Sequence, residues 1–119
     1  MVRRSKTKTD TPPAAPFPAL MLPAELTIYT VGELHPQWLA WLGQVTPGTQ
    51  PDEVAEIQAA AVDQIDAAGV QLLLSLQHAL AALGRRCWLR DASAVLAAGC
   101  AALGLSDWLA HQTAPGQTA

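Results

Sequence analysis

The segment Val62-Asp63-Gln64-Ile65-Asp66-Ala67-Ala68-Gly69-Val70-Gln71-Leu72-Leu73-Leu74 constrains the fold more than any other part of the chain. A short apolar run ends at Ile65, a loop carrying Asp66 and Gly69 follows, and a long helix then begins. From Val70 to Leu83 the residues Leu73, Leu76, Leu80 and Leu83 recur at intervals of three and four, with Leu72 and Ala79 widening the stripe. Such spacing sets one face of a helix into a core. Gly84 can stop it, because glycine accepts the left-handed backbone that commonly ends helices.

The remaining elements are read around that junction. Leu20-Met21-Leu22 and Leu26-Thr27-Ile28-Tyr29 are short strands about a turn at Pro23-Ala24. Thr30-Val31-Gly32-Glu33 has the spacing of a capping box, and Leu34, Trp38, Leu39 and Leu42 follow at helical intervals. Pro36 implies either an irregular first turn or a regular helix that starts at His35-Pro36, where proline is tolerated. Residues 43–53, with Gly43, Pro47, Gly48 and Pro51, form a loop. Glu56 to Val62 is ambiguous: its alanines favour helix, yet it stands where a central strand is needed. Arg86 to Arg90 alternates like an edge or half-buried strand. Ser93 is an N-cap for a last helix carrying Val95, Leu96, Cys100 and Leu103, closed by Gly104, with Leu105 and Trp108 packing back on the core. The order strand, strand, helix, strand, helix, strand, helix implies an α/β domain with a largely parallel sheet.

Charge divides the chain. Residues 1–19 hold four basic residues against Asp10, whereas residues 20–119 hold Arg85, Arg86 and Arg90 against nine acids. An acidic domain without a basic face is a poor nucleic-acid binder, since phosphate contacts supply most of that affinity. Residues 1–19, rich in proline, are expected to be a disordered tail, 20–111 the folded domain and 112–119 a second tail. No apolar run reaches the length of a membrane span, and the charged start lacks the apolar stretch of a signal peptide, so a cytoplasmic location is expected. Cys87 and Cys100 read as small core residues rather than a disulfide.

Chemistry-bearing constellations are scarce. His35, His78 and His111 are widely separated and none has a metal-type partner at short spacing. Cys87 has no adjacent histidine. Asp63 and Asp66 form a carboxylate pair without a Lys or His to split them into acid and base, and read better as an acidic docking rim. No glycine-rich phosphate loop is present. The expectation is a protein that is not an enzyme and takes no metal or cofactor. Trp38 follows the apolar stripe into the core, while Trp41 and Trp88 fall off it, half-buried or exposed as interface anchors.

Taken in order, Leu22-Pro23-Ala24-Glu25-Leu26-Thr27-Ile28, the helix Thr30 to Leu42, the junction Val62 to Leu74 and the ending Leu103-Gly104-Leu105 resemble the STAS domain. That family includes anti-sigma-factor antagonists and cytoplasmic parts of sulfate transporters. The likeness covers about residues 20–110, and the central junction is its most specific part. It implies a mixed, largely parallel sheet of four to five strands with helices mainly on one face. It also implies a partner-binding surface at Gln64, Asp66, Ala67, Ala68, Gly69, Val70 and Gln71. In the family, the Asp and the Gly bracket a pair containing a phosphorylatable Ser or Thr. Asp66 and Gly69 fit, but Ala67 and Ala68 carry no hydroxyl, and Gln58 stands where an acidic residue is common. Ser75, inside the long helix, and Ser93, a cap, are poor substitutes.

By resemblance the chain is a stand-alone bacterial signalling module, similar to anti-sigma-factor antagonists or chemotaxis-associated STAS proteins. Its partner would be a kinase-like ATP-binding regulator or a chemotaxis kinase, and a weak homodimer is compatible with it. Without the phosphoacceptor, it is either a constitutive binder or a member whose alanines merely pack. The alternative is a small cytoplasmic STAS subunit of an ABC-type lipid transporter, although that group often retains Thr where Ala67 stands.

Overall fold

The computed structural model describes residues 17–50 and 53–113. The elements run β1 (Leu20–Met21), β2 (Glu25–Leu26), α1 (Val31–Leu42), β3 (Val54–Gln58), β4 (Gln64–Ile65), α2 (Ala67–Ala82), β5 (Arg86–Arg90), α3 (Ala94–Ala102) and α4 (Ser106–Thr113). β1, β3 and β5 form a three-stranded sheet in that spatial order, and β2 pairs with β4 in a second, two-stranded sheet. The class is α/β. Every strand pairing among the described residues is parallel, not mixed.

The opening pair is therefore not a hairpin. Leu20 stands beside Ile57, and a few residues later Glu25 stands beside Gln64. The Pro23-Ala24 step keeps the chain running the same way. The Leu22 amide donates to the Gln58 carbonyl, and the Ala24 carbonyl accepts from Asp63 and Gln64. The ambiguous segment Glu56 to Val62 divides: Glu56 to Gln58 complete strand β3, whereas Ala59 to Val62, with the alanines that favour helix, form a turn that is neither helix nor strand.

β3 and β5 alternate strictly. Ala55, Ile57, Cys87 and Leu89 are buried on one face. Glu56, Gln58, Trp88 and Arg90 are half-buried on the other, where Arg90 reaches Glu56 at 2.7 Å and lies over the Trp88 ring at 4.9 Å. α2 drives Leu73, Leu76 and Leu80 into the core, as its spacing requires. Burial pushes the Cys87 thiol up to about 12 and raises that of Cys100, so both behave as small apolar residues.

Three local expectations need correction. Thr30 makes no side-chain cap, because its hydroxyl bonds backward to the Glu25 and Thr27 carbonyls; α1 begins at Val31 and runs through Pro36. In α1 the buried residues are Leu34, Trp38 and Trp41, while Leu39 is 54 % exposed. Trp41 is drawn in by Phe17, edge-on at 5.9 Å, and by the Pro18 carbonyl, to which its indole donates at 2.8 Å. At the other end Ser93 caps α3 through the Leu96 amide, but Val95 and Leu103 face outward. Beyond Gly104, whose φ is +75°, a further helix, α4, continues to Thr113. Phe17 and Gln112 are both buried, so the packed part extends past 20–111 at each end. The expected tails otherwise lie outside the described residues. No described helix is long and apolar enough to cross a membrane.

Candidate functional site

The junction before α2 is held by one carboxylate. Asp66 has extended backbone and is the N-cap of α2: its Oδ1 accepts from the Gly69 amide at 3.1 Å. Its Oδ2 accepts from the Ile28 amide at 2.9 Å. Helix starts leave amides unpaired, and an aspartate at this position satisfies one of them. Here the second oxygen ties the turn after β2 to the same point. The Ile28 and then the Gly69 hydrogen bonds hold the Asp66 carboxyl below its usual range, since both favour the ionised form.

Gly69 explains why the two segments lie so close. A Cβ there would run into the Leu26 carbonyl oxygen. Only hydrogen fits where the first turn of α2 presses on β2. Val70 beside it is 1 % exposed and is a core residue. These two members of the expected docking surface therefore serve the fold and cannot touch a partner directly. Gln64, Ala67 and Gln71 are exposed, and Asp66 and Ala68 are half-buried. The accessible part of the site is thus a strip of small and amide side chains around the helix start.

The sequence reading missed the exposed turn beside this strip. Strand β2 stops at Leu26, and residues 27–30 form a turn rather than strand. The Thr30 amide donates to the Thr27 carbonyl, the Tyr29 amide to the Thr27 hydroxyl, and that hydroxyl to Glu25. The turn leaves Ile28 59 % and Tyr29 86 % exposed, immediately beside Asp66. The available signal was the break in alternation: Ile28 and Tyr29 are adjacent apolar residues flanked by two threonines.

Elsewhere the candidate chemistry is dispersed. His35 and His78 are exposed on α1 and α2, and His111 on α4 has Nδ1 at 2.8 Å from the Asp107 carbonyl. Among the described residues no three His, Cys, Asp or Glu side chains are grouped to hold a metal. An apolar groove of about 190 Å³ lies between α1 and α2, lined by Trp38, Leu39, Leu72 and Leu76 with His35 and Ser75 at its polar margin. Compared with family models, curated proteins and solved structures, the chain matches none.

Proposed function

We propose that this chain is a STAS-type, non-enzymatic interaction module of a bacterial signalling complex, with the fold's two short sheets corresponding to the family's four- to five-stranded one. Its partner is a kinase-like ATP-binding regulator or a chemotaxis kinase. The contact uses Gln64, Ala67, Ala68 and Gln71 together with the turn Ile28–Tyr29. One observation carries the reading: Asp66 fastens a helix start whose next residue, Ala67, stands exposed where a hydroxyl would be open to a kinase. A phosphate there would add about two negative charges at the centre of the contact. A methyl group keeps the surface in its uncharged state.

Ala67→Asp tests this placement. An acidic residue in the first helical turn is compatible with α2, since it faces the positive end of the helix dipole, so the variant should remain folded. Tagged chain recovered from its host identifies the regulator, and calorimetric titration of that purified protein then compares wild type with variant. Affinity should fall at least about tenfold. Equal affinities overturn the proposed surface. Recovery of a transporter ATPase with its permease in place of a kinase-like regulator would assign the chain to lipid transport.

A further inference from the structure

An apolar turn this exposed, beside a carboxylate that fixes it, raises the question of what covers it. Tyr29 is 86 % and Ile28 59 % exposed. Three carboxylates belong to the turn's surroundings. Asp66 accepts from the Ile28 amide, Glu25 accepts from the Thr27 hydroxyl that in turn accepts from the Tyr29 amide, and Glu33 lies four residues past Tyr29 in the first turn of α1. Among the described residues none of the three has a cationic side chain within salt-bridge distance. A tyrosine ring beside carboxylates suits a guanidinium or ammonium group, which gains from both ring face and charge.

The chain's own cations are almost fully assigned. Arg85 donates to Thr46 and Val54, Arg86 to the His111 carbonyl and Arg90 to Glu56. Of the seven basic residues, only Arg3, Arg4, Lys6 and Lys8 remain. They precede Phe17, which is buried against Trp41 near the C-terminal end of α1. From Trp41 back to Glu33 is about 12 Å at 1.5 Å per helical residue. Arg3 to Lys8 lie 14 to 9 residues before Phe17, a reach of up to about 30–45 Å when extended. A second copy is a poorer occupant, because its docking end would bring the same carboxylates.

We infer that the turn Ile28–Tyr29 and the carboxylates of Glu25, Glu33 and Asp66 beside it form a docking surface for this chain's own basic segment, Arg3–Lys8. The tether gives that segment an effective concentration in the millimolar range. Any partner using the same turn has to displace it, and weak multi-charge contact of this kind yields to salt. The contact itself needs no partner, so it goes beyond the proposed function and can fail separately from it.

The test compares the full chain with R3Q/R4Q/K6Q/K8Q by amide nuclear magnetic resonance at about 20 mM and about 500 mM sodium chloride, which spans strong and weak screening. At low salt the Ile28, Tyr29 and Glu33 amides should differ between the two proteins. The difference should vanish at high salt and be unchanged on tenfold dilution. E25Q/E33Q, which leaves the arm intact, should remove most of it. Superimposable low-salt spectra overturn the inference, as do differences confined to another face. A difference that grows with protein concentration also overturns it, since the arm would then be reaching a second molecule.

Discussion

The two ends of the molecule treat a charged side chain in opposite ways. At one end Arg85, 9 % exposed, spends its guanidinium on the chain itself. It donates to the Thr46 carbonyl at 2.6 Å, the Thr46 hydroxyl at 2.9 Å and the Val54 carbonyl at 3.1 Å, and the Phe17 ring lies 5.0 Å away. At the other end Asp66 also fastens backbone, but its neighbours Ala67, Ile28 and Tyr29 are left in solvent. A buried cation whose donors are satisfied locks a loop and offers nothing to a partner. A half-exposed cap organises a surface while leaving it uncovered. The first end serves stability, and the second combines local stability with the exposed surface to which the proposed function assigns recognition.

The sharpest way to break this contrast is Gly69→Ala, which sets a methyl group against the Leu26 carbonyl. Neither β2 nor α2 can retreat without separating from its own partners, so a loss of about 3 kcal/mol or more is expected in chemical denaturation. Wild-type stability would mean that the helix start is not pressed on β2. Arg85→Ala comes next. It removes three hydrogen bonds to exposed Thr46 and half-buried Val54 and leaves the face of buried Phe17 bare, costing about 1–3 kcal/mol in the same experiment. Affinity for the regulator at the opposite end should stay within about twofold once the variant is folded.

Smaller still is the pH response of Asp66. Its folded carboxyl titrates below the unfolded value of 3.8, so its contribution is present above that value and is lost as pH falls through the folded one. Asp66→Asn should therefore show a shallower loss of melting temperature than wild type below about pH 4. Parallel profiles would show that the carboxylate charge contributes nothing to the junction. Tyr29→Ser should change stability least, within about 0.5 kcal/mol, because the side chain packs on so little. If Tyr29 anchors the partner, its affinity should nonetheless drop at least about tenfold.

How much of this is legible beforehand differs by element. The strand–loop–helix junction is, because the leucine stripe from Leu73 to Leu83 marks α2; that Asp66 caps it and that Gly69 must lack a side chain appears only where the helix start meets β2. The Ser93 cap and the alternating β5 follow from equally local rules. α1 misleads because Trp38-Leu39 and Trp41-Leu42 are adjacent apolar pairs, so two stripes fit the helical period. Phe17 and the Pro18 carbonyl, distant in sequence, select Trp41. The direction of β1 and β2 is set by pairing with β3 and β4, and two-residue strands carry too few side chains to record it. α4 escapes notice because Ser-Asp-Trp-Leu-Ala-His-Gln-Thr is polar, with Leu109 and Gln112 alone buried. The exposed Tyr29 is the site's least legible part, since an apolar residue near a strand end reads first as core.

Hydrogen exchange of the chain with and without the purified regulator tests the central claim most directly. Protection should appear at amides 27–30 and 64–71 and leave those around Thr46 and Arg85 unchanged. Protection centred on the Arg85 end, or on the half-buried face with Trp88 and Arg90, would contradict the assignment of recognition to the Asp66 end.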